Sequence, residues 1–189
     1  MMGIELLPAQ IQAANPLLVM LLIPFFTYVL YPAINRFFKL TPLRKISIGM
    51  FVAVLAFSIS SIAQTRIDSG ITPSISWQLF AYIALTSAEV MISITCLEFS
   101  YTQAPRKMKS FVMAFFMLSI AVGNLFTSAV NFLIQNPDGS SKLAGAEYFW
   151  FFTWLMLGTA ILFIIVARLY REKTYLQAEQ PVAKNGVPL

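Results

Sequence analysis

Five long apolar segments, separated by short polar loops, constrain this chain more than any other feature of its sequence. They cover residues 10–34, 46–63, 77–101, 111–134 and 148–167. A helix needs about 20 largely apolar residues to cross roughly 30 Å of hydrocarbon. The chain is also only 11% charged, whereas soluble domains carry about 25% charged residues. The sequence therefore predicts an all-α integral membrane protein with five transmembrane helices.

The same segments divide the chain into two parts. Residues 1–173 form the predicted membrane helical bundle, and residues 174–189 form a polar cytoplasmic tail. The bundle is expected to have the lipid bilayer as its surroundings, with an aromatic belt near one membrane interface.

Several classes of site are excluded by composition. The chain has no histidine and a single cysteine, Cys96, so an intrachain disulfide, a His/Cys metal cluster and histidine-based catalysis are ruled out. No nucleophile–base pair is visible, and we expect neither enzymatic activity nor a cofactor. The net charge of +5 does not indicate nucleic acid, because the basic residues lie between apolar runs and form no single soluble patch.

The distribution of basic residues predicts the orientation. Eleven of the 13 lysines and arginines fall in segments that alternate helices place at one end of the bundle. They are Arg36, Lys39, Arg44, Lys45, Arg106, Lys107, Lys109, Arg168, Arg171, Lys173 and Lys184. By the positive-inside rule this end faces the cytoplasm. We therefore expect a multi-pass protein of the plasma (inner) membrane with an external N-terminus and a cytoplasmic C-terminus.

Glu89 is the residue most in need of an explanation. It lies near the middle of the third span, where an acidic side chain costs about 2.5–3.5 kcal/mol on insertion scales. Ser93 lies one turn later on the same helix face, and Thr86 lies three residues earlier. A polar patch of this kind is typical of a group that binds a substrate amine or a proton. The alternative is a structural carboxylate that hydrogen-bonds a neighbouring helix.

Two other polar residues are candidates with structural alternatives. Glu98 follows Glu89 by nine residues and should project from the opposite side of the helix, where a salt bridge or gate contact at the cytoplasmic interface is favoured over substrate contact. Asn15 precedes Pro16, which usually marks a helix start or a turn. If the helix begins near Gln10 instead, Asn15 lies inside it and can face a central cavity.

Small residues at four-residue spacing predict close helix packing. Gly49 and Ala53 form such a pair in the second span, and Ser119, Gly123 and Thr127 form a longer row in the fourth. Rows of this kind allow membrane helices to approach closely. Lining of a cavity is the alternative for the polar residues of the fourth span.

Several short motifs together resemble a known family. The sequence reads AEV at 88–90, LEFSYTQAP at 97–105, MKS at 108–110 and VGN at 122–124, and NPLL stands at 15–18. In this order and spacing they are similar to the proton-dependent oligopeptide transporter family of the major facilitator superfamily. The resemblance implies that the five spans correspond to family helices eight to twelve, which form most of the C-terminal bundle.

The resemblance also implies roles for individual residues. Glu89 occupies the position of a tenth-helix glutamate that binds the amino terminus of a di- or tripeptide, and Asn15 matches an eighth-helix asparagine of the same site. Phe116 stands where the eleventh helix usually carries an aromatic residue, often Trp. Ser93 is expected to assist Glu89.

The cytoplasmic gate is the second site that the resemblance implies. Glu98 and the basic loop residues Arg106, Lys107 and Lys109 are expected to serve it.

The match covers only part of a complete transporter. A full member has twelve core helices in two bundles, and the first bundle, its E-x-x-E-R proton-coupling motif and the seventh helix are not in this sequence. We expect a part of a proton-coupled di-/tripeptide symporter that is not competent for transport alone, with peptides, protons and an N-terminal transporter half as partners. An external N-terminus with five helices favours the later part of a longer protein. The alternative is a truncated, non-transporting membrane protein that acts as an interaction or assembly partner.

Overall fold

The computed structural model describes residues 8–71, 73–104, 108–136 and 141–170. Its helices are α1 (Pro8–Phe25), a π-helical turn (Phe26–Leu30), α2 (Tyr31–Asn35), α3 (Pro42–Asp68), α4 (Ile75–Gln103), α5 (Lys109–Ile134) and α6 (Ala146–Leu169). The predicted tail at 174–189 and the loop residues Arg106 and Lys107 lie outside the described ranges.

The described helices include five that are long and apolar enough to cross a membrane, which confirms the predicted all-α membrane fold. The first crossing combines α1, the π turn and α2, and its apolar stretch runs over Asn15–Asn35. The other four crossings are α3, α4, α5 and α6, each of which extends two to five residues beyond its predicted segment at one or both ends. Hydropathy marks only the part of a helix that spans the hydrocarbon, so the polar turns at the helix ends lie outside the predicted segments.

The first crossing is irregular between its prolines. The π turn at Phe26–Leu30 lies between Pro24, inside α1, and Pro32, in the first turn of α2. A proline lacks the N–H that an α-helix needs for its i→i−4 bond, and a π turn is one way in which a helix accommodates that loss. The helix begins at Pro8, so Asn15 lies within it and does not mark its start.

Helix α3 lies at the centre of the bundle and packs against α4 on one side and α6 on the other. Helix α4 lies very close at Gly49, where an added Cβ would lie 2.8 Å from Cγ1 of Ile92 and 3.0 Å from Cβ of Met91. Ala53, one turn later, is also buried. The prediction that Gly49 and Ala53 form a packing face is confirmed, because only small side chains leave room for α4 at this separation.

The contact between α3 and α6 includes a buried hydrogen bond. Ser61 and Thr153 are 0% and 4% exposed, and their hydroxyl oxygens lie 3.1 Å apart. Each hydroxyl is also within 2.8 Å of a backbone carbonyl one turn earlier in its own helix. Polar groups in an apolar interior need such partners, and this pair holds the two helices in register.

We call the end of the bundle that contains the end of α3 and the start of α6 the outer end, following the charge-based orientation. Here Oδ2 of Asp68 accepts a hydrogen bond of 2.8 Å from the backbone N–H of Ala146, at the first residue of α6. The other carboxylate oxygen accepts one of 2.9 Å from the Gln64 side chain. Asp68 therefore caps a helix that lies far away in sequence, and it ties α6 to α3.

Helix α5 is the exception to this packing. Among the described helices it packs mainly against α4, and none of its residues is buried. Near its end, Oδ1 of Asn131 accepts a hydrogen bond of 2.9 Å from the Tyr148 hydroxyl of α6. The predicted packing face of Ser119, Gly123 and Thr127 is exposed, and an added Cβ on Gly123 would meet nothing within 4 Å. The prediction that this row packs against a neighbouring helix is wrong for the described part of this chain, because no described helix lies beside it.

Candidate functional site

Glu89 lies midway along α4, which runs from Ile75 to Gln103. Its immediate neighbours Ala88 and Val90 are buried at 1% and 4% exposure, whereas Glu89 is exposed. Ala88 faces α3 at Gly49, and Val90 packs in a cluster with Phe26. Glu89 therefore projects from the remaining side of α4, which α1 and α3 leave open. Within the described residues its carboxylate forms no hydrogen bond and no ion pair.

Asn15 is joined to α4 directly. Oγ1 of Thr86 lies 3.1 Å from Oδ1 of Asn15 and donates to it. Thr86 is only 2% exposed, so it lies in the contact between α1 and α4. The spacing in the sequence predicts an open polar patch that Thr86 shares with Glu89, and the structure does not show this patch. The role of Thr86 is to hold the Asn15 side chain against α4 less than one turn from Glu89.

The two other candidate binding residues differ in their surroundings. Ser93 is exposed one turn after Glu89 on α4, as the spacing predicted. Phe116 is half-buried on α5, the helix with the fewest contacts to the rest of the chain. The structure thus brings Asn15 to the part of α4 that carries Glu89 and Ser93. Phe116 lies on α5, and its place relative to these residues follows from the packing of α5.

The open face of α4 has an energetic consequence. A carboxylate at the centre of a span costs about 2.5–3.5 kcal/mol when it is placed against lipid. Intramembrane acids therefore face a water-filled cavity or a partner. Since α1 and α3 cover the other sides of α4, the Glu89 side is where a polar ligand or a further helix bundle is required.

The predicted gate residues lie at the opposite end of the bundle, which we call the inner end. Glu98 is exposed and lies within electrostatic range of Tyr31. Nζ of Lys109 lies 3.9 Å from the centre of the Tyr101 ring. Among the described residues, Lys109 and Glu98 form no ion pair, and Lys109 makes a cation–π contact with Tyr101. Arg106 and Lys107 belong to the loop outside the described ranges.

Sequence patterns did not reveal one group of inner-end residues. The Tyr31 side chain interacts with Thr95 as well as Glu98, and Nζ of Lys45 lies 4.3 Å from the centre of the Tyr31 ring. These residues come from α2, α3 and α4 and share no motif. In the sequence, Lys45 belongs to a cluster of basic residues that indicates only the orientation in the membrane.

No group of three or more His, Cys, Asp or Glu side chains that could hold a metal ion lies together in the described ranges.

Comparisons with known proteins identify the family of this chain. The family model PTR2, described as the POT family, matches residues 1–151. The peptide transporter PTR2 of Saccharomyces cerevisiae is 29% identical over 164 residues, which cover 80% of this chain and 25% of that protein. Solute carrier family 15 member 1 of Oryctolagus cuniculus is 42% identical over 99 residues, which cover 52% of this chain and 13% of that protein.

Two solved structures have a similar fold. A crystal structure of an auto-inhibited POT family peptide transporter superposes with a TM-score of 0.82 at 35% identity, and covers 93% of this chain and 37% of that one. The in meso crystal structure of the POT family transporter PepTSo gives a TM-score of 0.78 at 41% identity, and covers 87% of this chain and 34% of that one. This chain thus spans between an eighth and two fifths of the length of these relatives. It belongs to the POT family of transporters and has the fold of part of the C-terminal bundle of a major facilitator superfamily protein.

Proposed function

We propose that this chain is part of a proton-coupled di- and tripeptide symporter and supplies helices eight to twelve of its twelve core helices. The observation that carries the proposal is the open, mid-membrane position of Glu89 on α4. The yeast relative and one of the similar solved structures are peptide transporters, which supports the class of substrate.

Glu89 binds the α-ammonium group of the peptide. A carboxylate and an ammonium pair strongly where little water competes, and the charge of the peptide compensates a group that is otherwise costly in a membrane. Asn15 offers the second lone pair of its carbonyl oxygen to the same ammonium group, since Thr86 donates to that oxygen and holds it in place. Ser93 adds a hydroxyl one turn further, and Phe116 supplies an aromatic surface from α5.

The inner end controls access from the cytoplasm. Glu98 and the loop residues Arg106, Lys107 and Lys109 carry opposite charges at the proposed gate. The contact of Lys109 with the Tyr101 ring represents one of two arrangements of this lysine, and the other is an ion pair across the closed gate. Proton entry uses residues of the N-terminal transporter half that this proposal names as partner.

Transport requires a second bundle. Alternating access needs two bundles that rock about a site between them, and the exposed surfaces of α5 and the Glu89 face of α4 are the surfaces that such a bundle would cover. The chain is therefore not competent for transport alone. The partner in this proposal is an N-terminal transporter half.

A chimaeric transporter tests the proposal. The part of PepTSo that matches residues 8–170 is replaced by this sequence, and uptake of a labelled dipeptide into proteoliposomes is measured with an inward proton gradient. The chimaera should take up dipeptide, and Glu89→Gln should abolish that uptake. Glu147→Gln is the matched control, since Glu147 is an exposed carboxylate in the first turn of α6.

Three results would contradict parts of the proposal. A correctly inserted chimaera that takes up no dipeptide argues against the substrate class. Uptake by Glu89→Gln at the level of the parent chimaera excludes the proposed role of Glu89. Proton-driven uptake by the 189-residue chain alone would show that the second bundle is unnecessary.

A further inference from the structure

A second candidate site lies at the inner end, away from Glu89. A partly open cavity of about 550 Å³ lies between the start of α3 and the end of α6. Two arginines from different helices, Arg44 and Arg168, contribute to its lining, together with the hydroxyl residues Thr41 and Tyr170. The proposed peptide site uses none of these residues.

The charge of this cavity is uniformly positive. Among the described residues, its lining contains the two guanidinium groups and no aspartate or glutamate. Both arginines are exposed, so an anion can reach them. A guanidinium group presents a fork of N–H donors that matches the oxygens of a phosphate. The two arginines line the same cavity from different helices.

Arg44 is oriented by the loop before α3. One of its terminal nitrogens donates a hydrogen bond of 2.7 Å to the backbone carbonyl of Lys39. A guanidinium has five N–H donors, so this bond fixes the side chain and leaves further donors available to a ligand.

The first turn of α3 provides further hydrogen-bond donors, which are backbone N–H groups. Thr41 occupies the N-cap position, yet its side chain forms no capping hydrogen bond, and Pro42 is the first helical residue. The backbone N–H groups of the following residues, Leu43 and Arg44, therefore receive no acceptor from the cap residue. A ligand oxygen in the cavity would complete this turn.

Apart from Ser47, the remaining described wall of the cavity is apolar. Leu43, Ile164 and Ala167 line it, and Ile161 and Ile165 continue along α6 towards the membrane centre with 50% and 53% of their surfaces exposed. A free inorganic anion would leave this surface uncovered. A ligand with both a phosphate and a hydrocarbon chain would satisfy the arginines and the apolar strip together.

We propose that this cavity binds the phosphate of an anionic phospholipid, with one acyl chain along the exposed strip of α6. Basic pockets between transmembrane helices at the cytoplasmic side recognise lipid headgroups in this way. A free phosphate ion would leave the apolar strip uncovered, whereas a phospholipid covers it. The strip therefore favours a lipid over inorganic phosphate as the ligand.

Native mass spectrometry of the purified 189-residue chain in detergent tests the proposal. Dioleoylphosphatidylglycerol, dioleoylphosphatidylcholine and inorganic phosphate are titrated separately. The anionic lipid should bind at least tenfold more tightly than the zwitterionic lipid, and millimolar phosphate should not displace it. This comparison uses the unmodified chain, so it does not depend on the folding of any variant.

Paired variants locate the site. Arg44→Gln with Arg168→Gln should weaken binding of phosphatidylglycerol by about 25-fold, or about fivefold for each arginine near a lipid surface. The control is the double variant Arg36→Gln with Lys39→Gln, which removes the same charge at the same end of the bundle but does not alter the lining of the cavity. Its affinity for phosphatidylglycerol should change less than threefold. Equal losses in both pairs, equal affinity for the two lipids, or displacement by phosphate would each overturn the proposal.

Discussion

Thr86 and Asn15 join α4 to α1 through a side-chain hydrogen bond of 3.1 Å. The Thr86 hydroxyl also lies 2.9 Å from the backbone carbonyl of Tyr82, so its one hydrogen is shared between two acceptors. Thr86 is almost fully buried, and the bond is therefore shielded from water. It fixes where the Asn15 amide lies relative to Glu89, which is the central relationship in the proposed peptide site.

Replacing Thr86 with valine should weaken peptide binding without unfolding the bundle. Valine keeps the shape of threonine but removes the donor to Asn15, and a net hydrogen bond of about 0.5–1.5 kcal/mol corresponds to a rise of about two- to tenfold in the KM for dipeptide. Ser87→Ala is the matched control, since the Ser87 hydroxyl donates only to the carbonyl of Ile83 in its own helix. Both are measured in the chimaeric transporter, and equal KM values would show that the bond does not position Asn15.

Gly49→Leu should destabilise the bundle, whereas Gly123→Leu should not. The Cβ position at Gly49 is already 3.0 Å from Cβ of Met91, and the position at Gly123 is open. Overpacking costs about 1–3 kcal/mol, while leucine gains somewhat less over glycine in helix propensity than the roughly 0.8–1.0 kcal/mol by which alanine exceeds glycine. Thermal unfolding in detergent, followed by circular dichroism, should give a lower Tm for Gly49→Leu only. Similar Tm values for the two variants would contradict the close approach of α3 and α4.

Asp68→Ala should loosen the outer end of α6. The substitution removes the acceptor for the Ala146 N–H and for the Gln64 side chain, and loss of such a cap costs about 0.5–2 kcal/mol. Glu147→Ala removes a carboxylate from the same helix end but breaks no bond between helices, so it serves as the comparison. Hydrogen exchange of the first turn of α6 should accelerate in Asp68→Ala and remain close to the parent rate in Glu147→Ala.

Cysteine labelling tests the proposed orientation. In a Cys96→Ser background, Ile71→Cys places a thiol at the outer end and Phe37→Cys places one at the inner end, where the original side chains are 58% and 86% exposed. A membrane-impermeant maleimide should label the cysteine at position 71 in intact cells. It should label the cysteine at position 37 only after the cells are permeabilised. The reverse pattern would mean that the basic loops face outwards, against the positive-inside rule.

The sequence by itself determined the class of the protein and the number of its membrane helices. Both follow from hydropathy, which is a property of each segment and needs no knowledge of neighbours. Gly49 and Ala53 were also predictable as a packing face, because close packing of helices depends on small residues at a regular spacing. The family resemblance rested on local motifs in the same way.

Tertiary structure decided which neighbour each helix face meets. The spacing placed Thr86 with Glu89 on one patch, but α1 covers Thr86 and leaves Glu89 open. Ser119 and Gly123 had the same small-residue pattern as Gly49, and yet no described helix packs on them. Helical periodicity gives the angle between residues on one helix but not the direction of the adjacent helices. Those directions come from contacts between segments far apart in the chain.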